Sequence, residues 1–103
     1  MESIIEQKKS ELQRICKQLR ISKLYAFGSV VASGKFRENS DIDFIIDFEG
    51  TLSPEEYSEN YFQLHYLLRA LFKREIDIIT ENSLSNPYFI ESINQTKVLI
   101  YEA

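Results

Sequence analysis

"YAFGSVVASGKFRENSDIDFIIDF", residues 25–48, decides how this chain is read. An apolar run breaks at Gly28-Ser29, a second glycine leads into Lys35, and Asp41 and Asp43 open another apolar run. Two chemistries compete for the stretch. A phosphate loop of the Walker type needs G-x-x-x-x-G-K-[ST], in which the hydroxyl after the lysine coordinates Mg²⁺. Here five residues separate Gly28 from Gly34, and Phe36 stands where the hydroxyl is required. The extra residue would disturb the amide nest, and a phenyl ring binds no metal. Gly34-Lys35 therefore reads as a loop tip with Lys35 in solvent.

The carboxylate reading fares better. "DIDFIIDF" (41–48) has the apolar, β-branched character of a strand. Alternation along it puts Asp41 and Asp43 on one face, with Ile42 and Phe44 on the other. Two acids side by side repel, and a hard cation between them relieves the repulsion. A bare D-x-D is more often a solvated strand start. The balance shifts at "REIDIIT" (74–80), where Asp77 sits mid-strand among Ile76, Ile78 and Ile79, a position unfavourable for aspartate by propensity. If the two strands are neighbours, Asp41, Asp43 and Asp77 can share two metal ions, the layout used for in-line phosphoryl transfer, and the third acid can accept a proton. Gly28-Ser29, at the end of the strand "KLYAF" (23–27), then gains a role, because glycine permits close backbone approach and the serine hydroxyl can hold phosphate.

The remaining chain supplies a frame. Ser3 and Glu6 have capping-box spacing, and one helix is predicted to about Leu19, with Leu12, Ile15, Cys16 and Leu19 on its apolar face. Ser53, Pro54 and Glu56 open a long helix as cap, first residue and capping-box partner, with Leu52 and Tyr57 at staple spacing. Tyr57, Tyr61, Leu64, Leu68, Leu71 and Phe72 form its stripe. "NPYFIESIN" predicts a short helix opened by Asn86 and Pro87, and "KVLIY" a last strand. The fold class expected is α/β (α+β): a small mixed sheet of about four strands with helices mainly on one face, in a single domain spanning 1–103.

Bulk properties narrow the function. The 103 residues carry a net charge of −4, with 44% hydrophobic and 27% charged residues, and a pI near 5.0. That balance argues against long nucleic acid as a partner. One cysteine, Cys16, permits no internal disulfide and reads as a core residue. No apolar run suggests a membrane span or signal peptide, so a cytoplasmic setting is expected. The lone histidine, His65, reads as a packing or surface residue. Asp47 and Glu75, in phase with the acids, read as solvated. Exposed tyrosines in "EEYSENYFQLHYLL" offer a lesser candidate for a partner surface.

The stretch 27–48 resembles the signature of the DNA-polymerase-β-like nucleotidyltransferases, and more narrowly that of the small minimal nucleotidyltransferase (MNT) domains. Their pattern is Gly-Ser, a spacer, Asp-x-Asp at a strand start and a third Asp on a later strand, matched here by Gly28, Ser29, Asp41, Asp43 and Asp77. The resemblance implies a nucleotidyltransferase fold and transfer of AMP from ATP. Two Mg²⁺ would be held by Asp41, Asp43 and Asp77, and Ser29 with nearby amides would position the β- and γ-phosphates. It further implies an antitoxin whose partner and substrate is a HEPN-domain toxin, modified on a tyrosine. The 11-residue spacer from Ser29 to Asp41 is one residue longer than is common in that group. Ala32-Ser33-Gly34 stands where many members carry Ala-Arg-Gly, so a basic residue is missing, for which Lys35 or Arg37 are the substitutes at hand. Alternatives are an antitoxin that silences its partner by binding alone, and transfer to a small acceptor such as an aminoglycoside, for which the chain has little room.

Overall fold

The computed structural model describes all residues except Met1, Glu2 and Ser33. A four-stranded sheet runs in the order β3-β2-β1-β4, built from β1 (Ile21–Phe27), β2 (Ile42–Phe48), β3 (Ile76–Thr80) and β4 (Val98–Glu102). β1 pairs antiparallel with both β2 and β4, and β2 pairs parallel with β3. The parallel pair needs a crossover. Helix α3 (Pro54–Phe72) provides it.

Helices α1 (Ser3–Gln7), α2 (Lys9–Gln18) and α3 contribute Ile5, Leu12, Cys16, Leu64 and Leu68, all fully buried, to one core. Ile42, Phe44, Ile46 and Phe48 enter that core from β2. Alternation then turns Asp43, Ile45 and Asp47 to the opposite face. Ile45 and Ile93 of α4 (Pro87–Thr96) are buried but lie outside the main cluster. The ammonium of Lys97, just past α4, stacks 4.2 Å from the ring centre of Tyr25, which pairs with Ile45. The C-terminal end of α4 therefore lies on the face that carries Asp43, while α1–α3 fill the other.

Local chemistry explains most boundaries. Ser53 Oγ accepts from the Glu56 amide at 3.2 Å and Glu56 Oε1 accepts from the Ser53 amide at 3.1 Å, so the expected capping box is formed and Pro54 begins α3. Asn86 Oδ1 accepts from the amides of Tyr88 and Phe89 at the head of α4. The single N-terminal helix expected to Leu19 is in fact two, separated at Lys8, whose φ of −107° and ψ of 12° leave the α region. Ser3 already belongs to α1 and does not stand in front of it as a cap. Cys16 is fully buried, and burial pushes its thiol pKa up to about 12, as suits an inert core residue.

Candidate active site

Register places the acids. Asp43 pairs directly with Asp77 across the parallel β2–β3 ladder, and with Phe27 across the antiparallel β1–β2 ladder. The adjacency on which the sequence argument depended is therefore present. Asp43 is half-buried while Asp77 is exposed. Asp41 departs from expectation: β2 begins at Ile42, so Asp41 precedes the strand and its side chain is exposed. The Ile42 amide instead donates to the Glu75 carbonyl at 3.2 Å, which ties the two strand starts together.

The electrostatics of Asp43 follow from this position. Burial is the largest influence raising its carboxyl pKa, from 3.8 to about 6. The negative charge of Asp77, a hydrogen bond with it, and the charge of Asp41 add to the shift. The site thus concentrates negative charge, and among the described residues no cation lowers the Asp43 pKa in return.

Gly28 closes the site from β1. It begins a single 3-10 turn, Gly28–Val30, with φ of +75°. A β-carbon at this position would run into Asp43 Oδ2 and stand 3.3 Å from its carboxyl carbon. Both the backbone angle and the close approach demand glycine. Beside it lies an open cleft of about 520 Å³ lined by Gly28, Ser29, Val31, Ala32, Lys35 and Thr96. Lys35, read from sequence as a solvated loop tip, is exposed but forms part of this wall.

Sequence reasoning missed Arg74. Its Nη1 donates to the carbonyls of Arg37 (3.1 Å) and Ser40 (2.9 Å), and its guanidinium lies 4.5 Å from the centre of the Phe36 ring. Arg74 fastens the loop before Asp41 to the strand that carries Asp77. Nothing in the spacing of Phe36 and Arg74 signals this, because the contact crosses from one loop to a distant strand start. Of the residues set aside, Asp47 is exposed, and Glu75 is exposed and paired with Arg69 at 2.9 Å. His65 is half-buried on α3, its Nε2 enclosed with no hydrogen-bond partner among the described residues.

The donor set suits Mg²⁺. Carboxylate oxygens are hard ligands, and the charges of Asp77 and Asp41 acting on Asp43 are ones a bound cation would offset. Among the described residues no three acids converge on one point, since Asp41 stands outside the strand. Asp43 and Asp77 form the assembled part of the set, and Asp41, exposed just before β2, acts on Asp43 through its charge.

Comparisons with known proteins bear on the family and the fold. The sequence model of the family described as "Polymerase beta, Nucleotidyltransferase" matches residues 10–103. The protein adenylyltransferase MntA of Thermococcus cleftensis is 31% identical over 86 residues, which cover 84% of this chain and 79% of that protein. A solved structure provisionally described as a minimal nucleotidyltransferase superposes with a TM-score of 0.74 at 23% identity, covering 91% of this chain and 90% of the other. The MNT antitoxin complexed with a tri-AMPylated Shewanella oneidensis HEPN toxin gives a TM-score of 0.65 at 14% identity, covering 95% of this chain and 72% of that one. At these identities the two structures speak for the fold. The family match over residues 10–103 and the Thermococcus relative make this chain a member of the polymerase beta nucleotidyltransferase family.

Proposed function

We propose that the protein transfers AMP from ATP to a hydroxyl, a tyrosine of a HEPN-domain toxin, and so acts as an antitoxin. One observation carries the reading: Asp43 and Asp77 face each other across parallel strands, with Gly28 pressed against Asp43 beside an open cleft. The name of the Thermococcus relative supports adenylyl transfer, and the toxin complex of the structural neighbour supports a HEPN partner.

Each residue has a role in that reaction. The absence of a side chain at Gly28 lets the triphosphate approach the acids, and Ser29 Oγ donates to its β- and γ-phosphates. Asp41, Asp43 and Asp77 would hold two Mg²⁺, which supply charge neutralisation at the phosphate oxygens when bound. Asp77, at the exposed edge, accepts the proton of the incoming hydroxyl. The new bond joins the tyrosine oxygen to the α-phosphorus, the bond to the β-phosphate oxygen breaks, and pyrophosphate leaves. Positioning and electrostatics account for the acceleration.

Incubation with a HEPN-domain toxin, ATP and Mg²⁺ tests the reading. Wild-type protein should add AMP to the toxin, and Asp43→Asn should not. Toxin left unmodified by wild-type protein, yet silenced equally by Asp43→Asn, would show that the protein acts by binding alone.

A further inference from the structure

We propose that Lys35 is the side-chain cation that binds the β- and γ-phosphates of the nucleoside triphosphate, an inference that rests on the transfer reading above. The loop after Gly28-Ser29 offers two basic residues, and the sequence does not choose between them. The structure separates them by what each is bonded to. Arg37 Nη1 donates to the carbonyls of Gly34 (2.7 Å) and Phe36 (3.2 Å), so its guanidinium fastens its own loop. Arg74 is held by the Arg37 and Ser40 carbonyls and the Phe36 ring, and Lys97, next to the cleft residue Thr96, is engaged by the Tyr25 ring and by Glu81 at 3.9 Å. Lys35 takes part in no ion pair among the described residues, and it lines the same cleft as Gly28 and Ser29.

Position adds to this. Among the described residues, Lys35 is the one charged member of the cleft wall, which is otherwise Gly28, Ser29, Val31, Ala32 and Thr96. Gly28 separates this wall from the Asp43 carboxylate. A triphosphate whose α-phosphate meets the acids therefore extends its outer phosphates toward Lys35. The Lys35 amide donates to the Ala32 carbonyl at 3.3 Å, a turn that anchors the backbone while the side chain is exposed. A compact ammonium with three donors suits a terminal phosphate group, which presents several oxygens without fixed bidentate geometry. An exposed lysine is ordinarily just hydrated. What sets Lys35 apart is its shared wall with Gly28-Ser29 in a chain of net charge −4, where an anion finds little other attraction.

Calorimetric titration with inorganic tripolyphosphate and with ATP, each in Mg²⁺, tests the assignment without any transfer step. Lys35→Ala should bind both about tenfold more weakly than wild type, roughly 1.4 kcal/mol. Lys35→Arg should stay within about twofold, since it keeps the charge. Lys17→Ala, an exposed lysine on α2, should match wild type and so exclude a net-charge effect. Thermal melting checks that the variants are folded. Equal affinity of Lys35→Ala and wild type overturns the proposal, as does a wild type that binds neither compound. Loss of binding in Lys35→Ala, with no AMP transfer by wild type, upholds the phosphate site and overturns the transfer reading instead.

Discussion

At the scale of single residues, Asp43 and Gly28 define the site. Gly28→Ala forces a β-carbon against the Asp43 carboxylate at a φ of +75°. Strain of this kind costs about 1–3 kcal/mol, so melting should fall by several degrees, and AMP transfer should drop by at least about a hundredfold as the approach to the acids closes. Asp43 also sets a pH signature. Its folded pKa lies near 6, above the ordinary 3.8, so the folded state holds this proton more tightly than the unfolded chain does. The stability this contributes is present below about pH 4 and is lost as pH rises to about 6. Metal-free protein should therefore gain stability at this site on acidification from pH 7 to pH 4, and Asp43→Asn should flatten that slope in urea titrations. Mg²⁺ at neutral pH should raise the melting temperature of wild type and leave Asp43→Asn unchanged. A slope identical in both proteins contradicts the assigned environment.

At the scale of elements, local signals and long-range contacts divide the structure between them. The capping box of α3 was legible because Ser53, Pro54 and Glu56 are sequence neighbours. Ser53→Ala should cost about 1 kcal/mol of stability and leave AMP transfer per folded molecule intact. Strand identity was legible from apolar runs, and the pairing of Asp43 with Asp77 followed once β2 and β3 were taken as neighbours. The break at Lys8 was not legible, because the 3.6-residue periodicity continues through it and only the backbone angles interrupt the helix. Nor was the loop anchor, where Arg74 reaches Phe36, Arg37 and Ser40 from more than thirty residues away. Arg74→Met removes the anchor while keeping apolar bulk over Phe36. Transfer should fall about tenfold or more through misplacement of Asp41, with a smaller effect on melting than Gly28→Ala. A full-rate Arg74→Met enzyme would remove the positioning role from Arg74.

At the scale of the whole molecule, the sheet divides the labour between its faces. One face meets α1–α3 and holds the main core, while the other carries Asp43, Asp77 and the Lys97–Tyr25 contact at the end of α4. Because β1 runs antiparallel to β2, the end of β1 with Gly28 arrives beside the start of β2 with Asp43. Because β3 runs parallel to β2, Asp77 arrives on its other side. Mixed topology is what gathers three separated stretches of chain at one end of one face. If this assembled end performs nucleotidyl transfer, mass spectrometry of a HEPN-domain toxin after incubation with the protein, ATP and Mg²⁺ will show it. Wild type should add AMP, and folded Asp43→Asn or Asp77→Asn should add none. Equal modification by wild type and both variants would contradict it.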